Sequence, residues 1–197
     1  VGFSKSGTVV NAKIQVYLLE RSRVVHQNAG ECNYHVFYML CKGAPEEWRK
    51  RLEIDPSQRF GFLNHDEHQP ETKDGDQIDC KSELVALMER MQQLHFSKED
   101  VEGVFETVGA VAHLGNIEFK ATDKSARNQE QKFMDTIELR DRRCLQVVCR
   151  LLGLDEENFE KALLYRKIAV GTESHFTPLK LEDALTIRDA CAKFLYG

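Results

Sequence analysis

The sequence predicts a mainly α-helical fold with a few β-strands. Apolar residues recur at intervals of three and four over much of the chain, which is the pattern of amphipathic helices. The alternation of apolar and polar residues that is typical of strands is clearest in the first 25 residues. Of the 197 residues, 42% are hydrophobic, which is enough to bury a sizeable core and excludes a disordered tail.

In the first third of the chain, we expect strand structure over residues 1–25, because apolar residues alternate with polar ones at 14–18. A helix is predicted over 30–43, where apolar residues form one stripe, and Pro45 begins a shorter helix that ends near Leu52. From 55 to 79 the apolar content falls and turn-forming residues accumulate, so this segment is expected to be a surface loop.

The remainder is predicted to be helical with two further loops. Apolar stripes with start or stop signals predict helices over residues 81–94, 97–114, 135–152, 155–163 and 181–196. The second of these begins with a capping box of Ser97 and Asp100. A short extended segment is expected at 116–119. Residues 120–132 have no large apolar side chain and predict a loop, and 166–177 predict a loop with hairpin character.

Charge and composition exclude several classes of protein. With 27 Lys+Arg against 32 Asp+Glu, the net charge is −5, and no concentrated basic face is available for a nucleic acid. The longest apolar runs are far shorter than the ~20 residues of a transmembrane helix. The six cysteines form no CxxC pair, there is no glycosylation sequon, and no signal segment begins the chain. We therefore expect reduced, mostly buried thiols in a cytoplasmic protein.

The search for catalytic motifs finds none. The chain has no GxxxxGK followed by Ser or Thr, no GxGxxG, no GxSxG, no HExxH and no EF-hand loop. The best metal look-alike is the run from His65 to His68, but adjacent ligands in a polar loop do not easily converge on one ion. A solvated loop is the favoured interpretation there, and a metal-regulated loop is the weaker alternative. His113, at a helix end, predicts a capping or core role. The residues themselves thus predict no catalytic, cofactor-binding or metal-binding group.

Four segments together resemble one protein family. They read YLLERSRVV at 17–25, ECNYHVFY at 31–38, AHLGNIEF at 112–119 and RDACAKFLYG at 188–197. These are similar to the YLLEKSRV, ERNYHIFY, LHLGNI-F and RDALAK-LYG segments of myosin motor heads, in the same order and spacing. The resemblance covers essentially the whole chain.

The resemblance implies a piece of the P-loop-containing α/β motor domain, from the upper 50-kDa region between the first and second switch loops. Residues 1–25 would be transducer strands, and 26–197 would be the helical upper 50-kDa region that forms the actin-cleft wall and supports the switches. The phosphate-binding loop would lie upstream. The parent would be an actin-activated ATPase that uses ATP and Mg²⁺, with neither bound by this segment alone. Its partners would be the actin filament and the remainder of the head, in the cytoplasm at the cytoskeleton.

One actin-binding position follows from the family pattern. Myosins carry an acidic or phosphorylatable residue sixteen positions before the aspartate of DALAK, which is Asp189 here, and that position holds Glu173. A glutamate implies that no phosphorylation is needed to supply the charge. The expected actin-binding residues all lie in the loop 166–177 and are Arg166, Lys167, Thr172, Glu173 and Ser174. The loop 120–132 would be an auxiliary actin contact.

Two features depart from this expectation or leave it open. Cys32 stands where the family segment ERNYH has arginine, which we expect to alter the local ion pairing. Val1 in place of Met and a helical pattern that continues to Gly197 predict a piece of a larger protein. The alternative is a stand-alone helical interaction module that shares the ancestry but has no ATPase activity.

Overall fold

The computed structural model describes residues 1–13, 19–63, 70–71, 77–122, 136–170 and 173–197. Helices dominate this part of the chain, as the sequence predicts. The α-helices, in chain order, are α1 (His35–Gly43), α2 (Glu46–Leu52), α3 (Cys80–Gln93), α4 (Lys98–Leu114), α5 (Arg143–Leu152), α6 (Glu156–Leu164) and α7 (Leu181–Tyr196). A 3₁₀ helix spans Arg21–Val24.

The described strands form three separate antiparallel pairs. Their bounds are β1 (Gly2–Phe3), β2 (Val9–Asn11), β3 (Phe119–Ala121), β4 (Ile137–Leu139), β5 (Tyr165–Val170) and β6 (Glu173–Pro178). β1 pairs with β2, β3 with β4, and β5 with β6.

Helix α4 is the centre of the core and packs against α1, α2, α5 and α7. The predicted capping box is present at its start, where the Ser97 and Asp100 side chains each accept a hydrogen bond from the other's backbone N–H. Phe105, Val111 and Leu114 are at most 1% exposed, so the apolar stripe seen in the sequence faces the other helices. The helix ends at Gly115 as predicted.

The strand prediction for residues 1–25 is wrong at 21–24, which form the 3₁₀ helix. Its turns are closed by hydrogen bonds such as that from the N–H of Val25 to the carbonyl of Ser22. The guanidinium of Arg23 reaches back to Glu20 at 2.8 Å, which favours a turn over an extended chain. The alternation at 14–18, on which the prediction depended, lies outside the described residues.

Two helices begin later than predicted. The helix expected from residue 30 starts at His35, because Tyr34 is extended (φ −59°, ψ 137°) and the preceding Asn33 uses its side chain in tertiary hydrogen bonds. The helix expected from residue 135 starts at Arg143, after β4. Ile137 and Leu139 lie on the same face of β4 and both are buried. A helical pattern can also contain two apolar residues two positions apart, so the sequence did not distinguish this strand from the start of a helix.

The segment 55–79 is not wholly a surface loop. Phe60, Phe62 and Leu63 are 1%, 4% and 5% exposed and belong to the core. Asn116 fixes them to the end of α4: its Oδ1 accepts from the N–H of Gly61 at 2.6 Å, and its Nδ2 donates to the carbonyl of Arg59 at 2.8 Å. A short aromatic run with no helical or strand period is therefore buried by tertiary contacts.

Several predictions fall partly or wholly beyond the described residues. His65 and His68 lie outside them, as does the segment 123–135, which includes most of the predicted loop 120–132. Within that loop, Lys120 and Ala121 are in β3. None of the described helices combines the length and the apolar character that a membrane span requires.

All six cysteines are free thiols, but only Cys41 and Cys149 are buried and the other four are half-buried, so the prediction of mostly buried thiols is wrong. Burial raises the pKa of Cys41 to about 12 and that of Cys149 to about 11. Both groups are therefore neutral thiols near pH 7, which suits a structural role and not that of a nucleophile.

Candidate functional site

The segment predicted to have hairpin character is a hairpin in the structure. β5 and β6 pair in continuous register from Tyr165 opposite Pro178 to Val170 opposite Glu173, and two residues separate the strands in sequence. No third strand joins this pair in the described part of the chain. The hairpin therefore has its side chains on two faces, with alternate residues on each.

The structure places four of the five predicted site residues in this hairpin. Arg166 lies opposite Thr177 and Lys167 opposite Phe176, and both cationic side chains are exposed. Ser174 is exposed, opposite Ala169. Glu173 begins β6, but its side chain is outside the described part of the structure, and Thr172 lies outside the described residues altogether.

The base of the hairpin is fixed to two helices. α6 runs directly into β5, and the N–H of Leu179, just after β6, donates to the carbonyl of Leu164 at 2.9 Å. Leu164 and Leu179 are 7% and 1% exposed. On one face of the hairpin, Nη2 of Arg166 lies 3.7 Å from Oδ2 of Asp183 in the first turn of α7.

The other face carries a contact that the sequence analysis missed. Nζ of Lys161, on α6, lies 3.6 Å from the ring centroid of Phe176. The ring forms one wall of a surface cavity of about 480 Å³ between α6 and the hairpin. Lys161 and Phe176 are fifteen residues apart, and no helical or strand period relates them. The one available signal is that Phe176 is an aromatic residue among the polar residues Ser174, His175 and Thr177 of β6.

A second candidate region lies where the four family-like segments meet. Asn33, at 2% exposure, donates from Nδ2 to the carbonyls of Val24 and Phe62, both at 2.8 Å. Its Oδ1 accepts from the N–H of Tyr34 at 2.7 Å. One buried amide thus joins the segments 17–25 and 31–38 to the buried aromatic run near residue 62.

Two further contacts bring in the other two segments. Nη1 of Arg188 donates to the carbonyl of Ile117 at 3.0 Å, which joins 188–197 to 112–119. The rings of Tyr34 and Tyr196 stack with centroids 4.8 Å apart and an angle of 18°, which joins 31–38 to 188–197. We call this meeting point, formed by Asn33, Tyr34, Ile117, Arg188 and Tyr196, the segment junction.

Arg23 is the centre of charge at the edge of the segment junction. It pairs with Glu20 at 2.8 Å and with Glu31 at 3.1 Å, and its Nη1 donates to the carbonyl of Cys32 at 3.1 Å. The hydrogen bond to Glu20 is the main cause of the raised pKa of Arg23. Burial raises the pKa of the Cys32 thiol. The Cys32 side chain supplies no positive charge at this edge. The cation that pairs with Glu20 and Glu31 is Arg23.

Among the described residues, no group of three or more His, Cys, Asp or Glu side chains could hold a metal ion. Asp79 caps α3 by accepting hydrogen bonds from the N–H groups of Lys81 and Ser82. The hydrogen bond from the Ser82 hydroxyl, and to a smaller extent those from the backbone N–H groups, lower the pKa of Asp79.

The comparison with known families decides the assignment. The family profile described as "Myosin head (motor domain)" matches residues 1–197. The chain belongs to the myosin head family. The five residues of the segment junction all lie within the four segments that resemble those of myosin heads.

Curated relatives match along the same length. Unconventional myosin-Ic-A of Xenopus laevis is 35% identical over 198 residues, covering 100% of this chain and 18% of that protein. Myosin-4 of Saccharomyces cerevisiae is 33% identical, covering 99% of this chain and 12% of that protein. Unconventional myosin-XV of Homo sapiens is 32% identical, covering 99% and 5%. This myosin chain therefore spans less than a fifth of the length of these relatives.

Proposed function

We propose that this chain is part of an actin-based, ATP-driven motor and that it supplies an actin-facing hairpin and support for the nucleotide switches. The parent would be a larger α/β motor domain with its P-loop outside this segment, acting at the cytoskeleton in the cytoplasm. The observation that carries the proposal is the β5–β6 hairpin. Glu173 begins the paired strand β6, sixteen residues before Asp189. The chain belongs to the myosin head family, in which an acidic residue at this position is expected to face actin.

The exposed charges of the hairpin support an interaction with a protein surface. Arg166, Lys167 and Ser174 are solvent-accessible and lie on a framework fixed at its base by buried leucines. Binding groups on a short loop held by rigid elements lose little conformational freedom when a partner docks. In this proposal Glu173 supplies a negative charge without the action of a kinase, and Thr172 and Ser174 flank it.

The segment junction supports the proposed role in switch support. A buried amide and a guanidinium hold backbone carbonyls of three separate stretches of chain, so the end of the N-terminal segment is held firmly against the helices. Displacing such groups leaves buried carbonyls without donors, which is costly. A rigid body of this kind is suited to hold loops contributed by the remainder of the head.

The nucleotide chemistry is proposed for the parent and not for this chain. ATP with Mg²⁺ would supply the phosphoryl group, whose transfer is catalysed mainly by positioning and electrostatics. The described residues offer no metal-binding cluster, and the sequence contains no phosphate-binding loop motif, so we assign no catalytic step to them. Alone, the 197-residue chain is expected neither to bind nor to hydrolyse ATP, and micromolar binding in calorimetry would contradict this.

The test uses the intact parent head with Glu173→Ala. We expect the actin concentration for half-maximal ATPase activation to rise several-fold while basal hydrolysis persists. Glu89→Ala is the matched control, because Glu89 is an exposed glutamate on α3, away from the hairpin. An actin dependence that is the same in all three proteins would refute the assignment of Glu173. The flanking coding sequence tests the parent itself: GESGAGKT is expected upstream and DxxGFE downstream.

A further inference from the structure

We propose that Lys161, which lies on α6 and outside the hairpin, is a positioning residue for actin binding. It holds the ring of Phe176 and so sets the direction in which the hairpin points. This inference rests on the proposed function of the hairpin. It assigns a role to a residue that neither the family-like segments nor the predicted site contains.

The hairpin needs such a contact because its own stability is small. It is a two-stranded sheet with no neighbouring strand among the described residues, and an isolated pair of strands is marginally stable in water. Its direction relative to the body must therefore come from side chains that reach it from the helices. The backbone contact between Leu164 and Leu179 fixes only the base.

Lys161 is placed to hold the middle of the hairpin. It lies in the last turn of α6, four residues before Tyr165 begins β5, and its Nζ is 3.6 Å from the ring centroid of Phe176. A cation at this distance over an aromatic face is attracted by the ring quadrupole. Phe176 is 45% exposed and Lys161 is exposed, so the contact lies at the surface and holds an aromatic ring that is not part of the core.

The opposite face of the hairpin is held by a different helix. Phe176 and its partner Lys167 lie on one face, whereas Arg166 and its partner Thr177 lie on the other. Arg166 reaches Asp183 on α7, at 3.7 Å. The hairpin is thus held between α6 on one side and α7 on the other, and loss of either contact allows it to turn toward the other helix.

The experiment measures hairpin order and actin binding separately, in the intact parent head. Lys161→Met keeps the length of the side chain and removes the charge, and Phe176→Leu keeps an apolar side chain and removes the ring. We expect each to increase amide hydrogen exchange in β5 and β6 without actin, and to raise the actin concentration for half-maximal activation about two- to fivefold. The double variant is expected to be no worse than either single one, since both remove the same contact. Lys161→Arg and Phe176→Tyr keep the cation and the ring and should retain both properties.

Lys167→Met is the matched control within the hairpin, because Lys167 is a lysine on the strand opposite Phe176. It is expected to change actin binding with little change in hydrogen exchange. If Lys161→Met weakens actin binding while exchange is unchanged and Phe176→Leu has no effect, Lys161 contacts actin directly and the positioning role is refuted. Unchanged exchange and unchanged actin dependence in both variants refute it as well. If exchange rises but neither these variants nor Glu173→Ala alter the actin dependence, the contact is real and the proposed function of the hairpin is what fails.

Discussion

Nε2 of His113 lies 2.9 Å from the carbonyl oxygen of Leu52, so a side chain on α4 closes the C-terminus of α2. A carbonyl only accepts, so Nε2 carries the proton and donates it. Nδ1 of the same ring is buried and has no hydrogen-bond partner in the described structure. The sequence predicted a capping or core role for this histidine, and the helix that it caps is a neighbour and not its own.

The stability of the chain is expected to fall with acidification because of His113. Burial lowers the pKa of the ring from its ordinary 6.5, and the nearby Arg150 and Arg143 lower it further. The hydrogen bond to Leu52 and the charge of Glu53 raise the pKa, but the net shift is downward. The unfolded chain therefore takes up a proton before the folded chain does as the pH falls. The contribution of His113 to the free energy of unfolding is fully present above pH 6.5 and is lost as the pH falls below it. Urea unfolding at pH 7.5 and 5.5 measures this decrease.

The matched variants isolate this residue from the other histidines. His113→Gln removes the titrating group and should give a smaller decrease between the two pH values. His26→Gln removes an exposed histidine and should leave the decrease as it is in the wild type. Equal pH dependence in His113→Gln and the wild type would contradict the assignment.

Two glycines, Gly103 within α4 and Gly115 at its C-cap, are expected to respond oppositely to alanine. A Cβ on Gly115 would lie 2.7 Å from the Phe62 ring and 2.9 Å from the Phe62 backbone N, whereas a Cβ on Gly103 would meet nothing within 4 Å. Gly115→Ala should lower the free energy of unfolding by roughly 1–3 kcal/mol through overpacking. Gly103→Ala should raise it by about 0.5–1 kcal/mol, because alanine restricts the unfolded chain and favours the helix. Urea unfolding of both variants checks the signs, and a stabilising Gly115→Ala would be incompatible with the close approach of Phe62.

The fold was predictable where the signals are local. The bounds of α3 and α4 agree with the predicted helices to within a residue or so, because the capping box of Ser97 and the apolar stripe are both written within the segment. The late start of α1 and the burial of Phe62 were not predictable, because both depend on hydrogen bonds to Asn33, which is nine residues from Val24 and 29 from Phe62. Tertiary contacts of this kind leave no period in the sequence.

The candidate site divides in the same way. The strand register places Glu173 opposite Val170, in agreement with the hairpin character predicted from the sequence, whereas the actin-binding role of Glu173 stays a prediction. The ring contact of Lys161 with Phe176 requires knowledge of how α6 meets the hairpin, which no helical or strand period in the sequence records. Sequence patterns therefore predict which residues form a loop more readily than which residues on other elements set the direction of that loop.

Arg166 is one of the predicted actin-binding residues. Its pairing with Asp183 gives it a second role, that of holding the hairpin against α7, and exchanging the two charges distinguishes these roles. The atoms are 3.7 Å apart and both side chains are partly exposed, so the pair is worth about 1 kcal/mol or less. That corresponds to a change of about fivefold or less in an equilibrium constant. We expect Arg166→Asp in the parent head to raise the actin concentration for half-maximal activation by up to that factor.

The double variant Arg166→Asp/Asp183→Arg restores an ion pair of the opposite direction between β5 and α7. If Arg166 acts by holding the hairpin, most of the lost actin activation returns in the double variant, and Asp183→Arg alone is as defective as Arg166→Asp. If Arg166 instead contacts actin directly, the negative charge at position 166 remains unfavourable whatever occupies 183. The double variant would then stay as weak as Arg166→Asp. We expect recovery, because the hairpin has no neighbouring strand in the described chain and depends on its two helices for its direction.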